Sequence, residues 1–365
     1  MKHRIFIGLL SLAVSCTSTI GAQTTQKLSA AKHNDFGLVY SLPITHLDIE
    51  VEAIQTIKKA GPYYQYAKKY LGTTEVITED SQTWTLKSVN VTPYGVPDKD
   101  NQYLVQMKGG NSPFMMLTEE GLPLSVNVEN VQAPTVPKQG VGPTKSILDG
   151  YSYGKSVSGE ILMSESIAKR AELAANQIYK IRESRTNYAT GEADQMPPDG
   201  EAMKLILQQL DNQEAALTAL FLGTTQKASA VAHFDYVPTT DVTNEVALRI
   251  SDFNGIVNKD DLSGAPVYLT LKVTTRGEIP LDEKGVEKKL LKGALMYKIP
   301  GQAEITLKYD GKQVFDQSFD IAQFGIEYGL NPSMFTDKKQ PSYLKFYPAT
   351  GGIKEIGTAT PTQEQ

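Results

Sequence analysis

ESIAKRAELAANQIYKIRESR (residues 165–185) and EAMKLILQQLDNQEAALTALFL (residues 201–222) are the two stretches around which the rest of the chain is organised. Apolar residues recur in both at spacings of three and four, which places them on one face of an α-helix. They are Ile167, Ala171, Ala174, Ile178 and Ile181 in the first stretch, and Met203, Ile206, Leu207, Leu210, Leu217, Leu220 and Phe221 in the second. Because the link between them is short, we expect a long antiparallel helical hairpin over residues 164–223.

The ends of both helices carry recognisable signals. Ser164 is the expected N-cap of the first helix, and Gly223 is the expected end of the second. The sequence between them breaks at residues 187–191 and again at 197–200, where glycine and proline interrupt the helical pattern. Asp211 and Glu214, on the second helix, either face the seam between the helices or lie on its polar side.

The first 22 residues have the composition of a secretory signal peptide. Lys2, His3 and Arg4 precede an apolar run at residues 5–14, which is too short to span a membrane. Two ends of this segment compete: cleavage after Ala22, or a loose lipobox that would make Cys16 a lipid-modified N-terminus. We expect an exported protein that is periplasmic or associated with the outer membrane, where a lipid on Cys16 or a partner would be its only link to the membrane.

Composition limits the chemistry. Cys16 is the only cysteine, so the folded part of the chain has no disulfide and no thiol nucleophile. Removal of residues 1–22 takes away Lys2 and Arg4 and no acidic residue, so the formal net charge moves from −5 to −7. An acidic chain without a basic run does not fit nucleic-acid binding. We predict no cofactor.

Outside the helical stretches the pattern is typical of β-strands. Residues 31–131 are predicted to form an N-terminal β-region with one short helix opened by Gly61-Pro62, residues 132–163 a linker, residues 224–356 a C-terminal sandwich-like β-domain, and residues 357–365 a disordered tail. The predicted class is α+β, with antiparallel sheets and the inserted hairpin. Whether the two β-regions form one domain or two is left open.

Particular residues support this division. Leu47, Ile49, Val51 and Ala53 alternate with Asp48, Glu50 and Glu52, which indicates a half-buried strand with one acidic face. Asp310-Gly311 between alternating runs predicts a tight hairpin turn. The turn-forming residues at 97–101 and at Pro300-Gly301 are predicted to separate pairs of strands.

No pattern of catalytic or metal-binding residues is apparent. His33, His46 and His233 are isolated from one another, and none belongs to a zinc motif. No serine lies in a nucleophile elbow. Acidic pairs for glycoside hydrolysis leave no local signature, and Asp211 with Glu214 is the pair to inspect. We predict no catalytic residue, no metal ligand and no enzymatic activity.

Tyr63, Tyr66 and Tyr70 share one face of the short helix that follows Gly61-Pro62. Aromatic rings in a row can stack on sugar rings, and they can equally fill the gap between a helix and a neighbouring sheet. The first interpretation makes these three residues a candidate glycan site.

Five segments together resemble one known family. They are KHNDFGLVYSLPITHLDIEVE (residues 32–52), GPYYQYAKKYLG (61–72), ADQMPPDGEAMKLILQQLDNQEAALTALFLG (193–223), YKIPGQAEITLKYDGK (297–312) and AQFG (322–325). The chain is similar, over nearly all of its length after the signal segment, to the domain-of-unknown-function family numbered 4831 of Bacteroidota cell-envelope proteins. This resemblance implies an envelope location and a shared architecture, and it implies no activity.

Three hypotheses about function follow. The first is a non-enzymatic subunit, adaptor or scaffold of a periplasmic or outer-membrane assembly, with an envelope protein as partner. The second is a carbohydrate-binding protein that serves glycan uptake or attachment. The third is a hydrolase whose acids or serines come together only in the fold.

Overall fold

The structure is a computed structural model that describes residues 24–27, 37–106, 114–135, 157–337 and 341–358. The predicted signal peptide, its Cys16 and His33 lie outside the described residues, as does the tail from residue 359 onward. Antiparallel β-sheets are the largest part of the described chain, which also has two long and two short α-helices, and this agrees with the predicted α+β class.

The strands are β1 (Thr24–Lys27), β2 (Leu38–Lys59), β3 (Ser81–Gln106), β4 (Met115–Leu117), β5 (Pro123–Val126), β6 (Thr224–Tyr236), β7 (Val242–Ser251), β8 (Gly255–Val257), β9 (Ala265–Thr275), β10 (Leu295–Tyr309), β11 (Lys312–Leu330), β12 (Ser342–Tyr347) and β13 (Gly352–Thr358). The helices are α1 (Ala67–Leu71), α2 (Gly159–Met163), α3 (Ile167–Thr190) and α4 (Gly200–Leu222). Short 3₁₀ turns cover Tyr64–Tyr66 and Pro332–Met334. None of the described helices is long and apolar enough to cross a membrane.

The strands form three sheets, and two of them combine strands from both sides of the helical segment. The first sheet has the order β1-β3-β2-β6, the second β11-β10-β9-β7-β8, and the third β13-β12-β5-β4. Strand β6 follows α4 in the sequence, yet it pairs with β2 from Leu47↔Tyr236 to Lys59↔Thr224. Strand β12 likewise pairs with β5. The two predicted β-regions are therefore joined by hydrogen-bonded strand pairs in two of the three sheets.

The main core lies between the first and second sheets. The alternating residues Leu47, Ile49, Val51 and Ala53 are buried in it as predicted, and the second sheet contributes Leu269, Leu271, Ile305 and Leu307 among others. Each large aliphatic side chain that leaves water here stabilises the fold by about 1.5–3 kcal/mol. The core is thus built by residues on both sides of the helical segment in the sequence.

Two predicted turns are wrong, because β-bulges take their place. Strand β3 continues through residues 97–101: Pro97 pairs with Pro43 and Gln102 pairs with Ser41, so the residues between them bulge opposite Leu42. The Asp98 side chain accepts hydrogen bonds from the Asp100 backbone and from Asn101. The turn-forming residues therefore bend the strand locally without ending it.

The same holds at Pro300-Gly301, where β10 continues with a register shift between Ile299 and Gly301. A Cβ on Gly301 would lie 2.5 Å from the Phe324 carbonyl oxygen, so close strand approach explains the glycine. The predicted turn at Asp310-Gly311 is confirmed. Both residues have positive φ angles, 49° and 71°, and Tyr309 pairs with Lys312 across the turn.

Thr45 connects all three sheets. Its hydroxyl donates to the Ala349 carbonyl oxygen (2.8 Å), between β12 and β13, and accepts from the Ala322 backbone N–H of β11 (2.9 Å). The Gln323 side chain binds the backbone N–H and carbonyl of Thr45 at 2.8 and 2.7 Å. Thr45 is completely buried, and its bond from the Ala322 N–H is shielded from water, whereas Gln323 and Ala349 are partly accessible.

The short elements around the helices differ in how well they follow the sequence. The predicted short helix is present as the 3₁₀ turn Tyr64–Tyr66 and α1, and Gly72 follows its end. The predicted linker is partly helical, since α2 covers Gly159–Met163. Residues 136–156 of that linker lie outside the described residues. At the C-terminus, β13 extends to Thr358 and so includes the first two residues of the predicted disordered tail, 357 and 358.

Candidate functional site

The helices α3 and α4 begin and end close to the predicted positions. Helix α3 starts after Ser166, two residues beyond the predicted cap Ser164, and continues through residues 187–190, where the sequence predicted a break. It ends at Gly191, whose φ angle is 79°. Helix α4 begins after Asp199, whose side chain accepts a 2.7 Å hydrogen bond from the Ala202 backbone N–H.

One half of this helical region is packed in a hydrophobic cluster, which we call the helical cluster. Its buried members are Tyr63, Ala67, Ile161, Ala171, Ala174, Ala175, Ile178, Ile181, Leu217, Leu220 and Phe221. The predicted apolar face of α3 is confirmed from Ala171 to Ile181, but Ile167 is 57% exposed and does not belong to it. On α4 only the last turns are buried, since Leu217 is the first buried residue of the helix.

Three ion pairs connect α3 and α4 beyond the helical cluster. Arg182 Nε lies 2.6 Å from Glu214 Oε1, and Arg185 Nη1 lies 2.8 Å from both Asp211 Oδ1 and Glu214 Oε2. The hydrogen bond with Asp211, followed by the charge of Glu214, raises the pKa of Arg185. Asp211 and Glu214 therefore face the first helix and neutralise its arginines, which accounts for the acidic pair that the sequence singled out.

The other half, residues 186–209, forms a distinct surface that we call the distal segment. Leu205 is 67% exposed and Met196 is 48% exposed, whereas Met203, Ile206 and Leu207 are less exposed but belong to none of the three hydrophobic clusters. Between Arg185 and Lys204 the chain carries no Lys or Arg, but it carries four acidic residues, Glu192, Asp194, Asp199 and Glu201. The distal segment thus combines accessible apolar side chains with negative charge.

The three candidate glycan-stacking tyrosines pack against α4. Tyr63 is 7% exposed, and its ring centroid lies 5.6 Å from that of Phe221 in an edge-on arrangement. Tyr70 also meets Phe221 edge-on at 6.4 Å, and its ring lies 6.4 Å from that of Tyr66. Tyr66 and Tyr70 keep part of their surface accessible, but Tyr63 does not. The structure therefore does not present the three rings as one exposed row, because Tyr63 fills the gap beside α4.

The sequence analysis missed a pair of histidine–aspartate contacts on the first sheet. His46 Nδ1 lies 2.9 Å from Asp235 Oδ1, and His233 Nδ1 lies 2.9 Å from Asp48 Oδ2. The Tyr94 hydroxyl donates a third bond to Asp235, also at 2.9 Å. Such contacts fix the orientation of each imidazole ring through its Nδ1 atom, and they do not use its Nε2 atom.

A signal for these contacts is present in the sequence. Both strands contain a histidine two residues before an aspartate, His46–Asp48 in β2 and His233–Asp235 in β6, which places each pair on one face of its strand. Asp48 faces Asp235 across the antiparallel pair, so each histidine reaches the aspartate of the other strand diagonally. No sequence pattern could identify these partners before the two strands were paired.

The rest of the acidic face of β2 is also occupied by neighbours. The Lys87 ammonium lies 2.8 Å from Glu52 Oε1 and lowers the pKa of that carboxyl group through a hydrogen bond, while Asn90 contacts Glu50 at 3.4 Å. Among the described residues, no three His, Cys, Asp or Glu side chains are grouped closely enough to hold a metal ion.

Two of the clefts that the described residues form lie at other places. The larger, about 640 Å³, lies between β3 and the β10–β11 turn and is lined by Trp84, Lys87, Asp252 and Tyr309 among others. The indole N–H of the buried Trp84 has no hydrogen-bond partner among the described residues. The smaller, about 170 Å³, is bordered by Tyr94 and the turn after β12. Neither cleft contains a residue that the sequence singled out as a site.

Comparisons with known proteins identify the family and no activity. No curated protein and no solved structure matches the chain. The family model described as "Domain of unknown function (DUF4831)" matches residues 36–354, which is nearly the whole chain. The match confirms the resemblance drawn from the five sequence segments, and the chain belongs to the DUF4831 family.

Proposed function

We propose that this protein is a non-enzymatic subunit or adaptor of a periplasmic or outer-membrane assembly, and that it contacts an envelope protein through the distal segment of α3 and α4. In this proposal the two helices form an antiparallel hairpin, and the first and second sheets form the sandwich that carries it. The observation that carries the proposal is the contrast between the two halves of the helical region. One half is buried in the helical cluster, and the other exposes Leu205 and Met196.

The energetics support a binding role for the distal segment. An apolar side chain gains about 1.5–3 kcal/mol when it leaves water, and Leu205 gains little of this in the isolated chain. Burial of the Leu205 side chain against a partner would supply this free energy. The four acidic residues between Glu192 and Glu201 indicate the chemistry of the partner surface, which should be apolar at its centre and basic at its rim.

The test uses a photo-crosslinking amino acid in place of Leu205 in the cells that make the protein. Leu262 is 82% exposed in a turn of the second sheet, far from the helices in sequence, and provides the matched control position. We expect one envelope protein to be crosslinked in stoichiometric amounts from position 205 and not from position 262. The substitution Leu205→Asp should abolish this crosslink when the photo-crosslinking residue is moved to Met196.

Two outcomes would contradict the proposal. The first is an identical set of crosslinks from positions 205 and 262, which would show that the distal segment has no preferred partner. The second is a partner that still co-purifies in undiminished amount after Leu205→Asp. Mass spectrometry of the same purified protein determines the mature N-terminus, Gln23 or a lipid-modified Cys16, and so tests the export on which the proposal also rests.

Glycan binding is the second candidate function, and the partial exposure of Tyr66 and Tyr70 favours it. Their rings lie 6.4 Å apart, and the Lys69 ammonium lies 4.8 Å from the ring centroid of Tyr70. The Tyr66→Ala variant should bind envelope glycans on an array more weakly than the unmodified protein. Equal binding by the two proteins would exclude this surface as a glycan site.

A further inference from the structure

Strand β6 forms one edge of the first sheet. One side of β6 pairs with β2 over an uninterrupted register from Thr224 to Tyr236, and no other described strand pairs with its second side. An edge strand of this length presents a row of backbone N–H and carbonyl groups to any strand that can lie beside it. Within the described residues, no strand therefore occupies the second side of β6 at any point along its length.

At the opposite edge of the same sheet, the free side of β3 is protected against pairing with another strand. Strand β3 pairs with β1 only at Tyr103–Gln106, and the rest of its free side carries Pro93, Pro97 and the bulge at residues 98–101. Prolines and bulges are the usual devices that prevent a strand from being extended by another chain. Strand β6 contains neither a proline nor a bulge.

The side chains of β6 are self-complementary about Val231. Lys227 precedes Val231 by four residues and Asp235 follows it by four, so both lie on the same face of the strand as Val231. On this outer face the neighbouring positions are polar, but Val231 is apolar and 51% exposed. Both Lys227 and Asp235 are also exposed. The Asp235 carboxylate binds His46 and Tyr94 within its own sheet, and 34% of its side-chain surface stays accessible to a further cation.

We propose that β6 pairs antiparallel with β6 of a second copy of this chain, with the two-fold axis at Val231. Lys227 of each copy then faces Asp235 of the other, Ser229 faces His233, and the two valines meet on the axis. On the inner face Ala228 meets Phe234. The result is one continuous sheet through both copies, held by the same contacts twice, as a two-fold interface requires. Opposite charges and apolar side chains in directly facing positions are the pairs that stabilise antiparallel strands.

This inference does not depend on the proposed function of the helices. It predicts a homodimer from the chain alone, with a specific register. The chain that begins at Gln23 contains no cysteine, because Cys16 is the only one, so single cysteines can be introduced without interference. The measurements use this chain, purified in reducing conditions, followed by light scattering and by mild oxidation.

We expect twice the monomer mass by light scattering, and a disulfide-linked dimer after oxidation of the Val231→Cys variant. An equimolar mixture of Lys227→Cys and Asp235→Cys should form mixed disulfides. Lys227→Cys alone should not form a disulfide, because the two copies of that position would lie eight residues apart, roughly 26 Å at 3.3 Å per residue. Val231→Cys alone already tests the axis, so the result does not depend on how Asp235→Cys folds.

Charge reversal gives a second test. Lys227→Glu places two like-charged pairs in the interface and should weaken dimerisation at least tenfold, whereas Lys272→Glu makes the same change on an exposed position of β9 and should leave it unchanged. A monomer at all concentrations would overturn the proposal. A dimer that persists unchanged in Lys227→Glu, or in which Val231→Cys does not crosslink, would overturn it as well.

Discussion

Replacement of Thr45 by valine should destabilise the whole fold, because this one hydroxyl connects three sheets. Valine has nearly the same shape, so the substitution removes two hydrogen bonds without creating a cavity. Ala322 is 1% exposed, so its N–H would be left buried without a partner, which costs about 1–3 kcal/mol. The Ala349 carbonyl is only partly buried and can bind water, so its loss adds about 0.5–1.5 kcal/mol.

We therefore expect the free energy of unfolding of Thr45→Val to fall by about 1.5–4.5 kcal/mol. The assay is urea denaturation followed by fluorescence of Trp84, the only tryptophan, which is buried in the core between the first and second sheets. The slope of the free energy against urea should stay the same, since the two proteins expose the same surface on unfolding.

The matched control is Thr92→Val. Thr92 lies on the neighbouring strand β3, paired with Asp48, and its side chain is exposed. This variant should change the free energy of unfolding by no more than about 0.5 kcal/mol. If Thr45→Val and Thr92→Val have equal effects, the hydroxyl of Thr45 does not hold the sheets together and the reasoning fails.

Three further predictions concern the core, the pH dependence and the turns. Phe221→Ala should lower the stability of the helical cluster by about 3–5 kcal/mol, measured by hydrogen exchange of α3 and α4, because it removes a fully buried ring. A loss of less than about 1 kcal/mol would contradict this prediction, because it would be close to the effect of a surface substitution. Burial raises the pKa of Tyr40, so above pH of about 10 only the unfolded chain loses this proton, and the free energy of unfolding should fall by up to ~1.4 kcal/mol per pH unit. Tyr40→Phe should remove this contribution to the slope in alkaline urea titrations; an unchanged slope would refute it. Gly95→Ala should be more destabilising than Gly311→Ala in thermal unfolding. A Cβ at position 95 would lie 2.1 Å from the Pro348 carbonyl oxygen, whereas at position 311 nothing lies within 4 Å and only the positive φ angle disfavours alanine. The reverse order would show that backbone strain outweighs the close contact.

The sequence predicted elements wherever one short stretch contains its own physical cause. The apolar spacing of α3 and α4, the capping glycines and the Asp310-Gly311 turn all depend on residues a few positions apart. The same local reasoning failed at residues 97–101 and at Pro300-Gly301. At these positions β3 and β10 pair with a neighbouring strand both before and after the turn-forming residues. Each strand therefore continues, and the turn-forming residues only bend it.

The candidate sites show the same division. Composition and spacing marked Asp211 and Glu214 as worth inspecting, but only the packing of α3 beside α4 supplied Arg182 and Arg185 as their partners. The tyrosine row was visible in the sequence. The burial of Tyr63 could not be predicted from the sequence, because Phe221, which contacts it, lies more than 150 residues further along the chain.

The sequence by itself determined the family, the class of fold, the two long helices and the tight turn between β10 and β11, since periodicity and turn chemistry are local properties. Only the tertiary structure decided that β6 returns to pair with β2, that both ends of the chain share one core, and that each histidine of the first sheet meets the aspartate of the other strand. These contacts join residues such as His46 and Asp235, which lie 189 positions apart. No local pattern encodes such a pairing, because it depends on which strands become neighbours when the whole chain buries its apolar faces together.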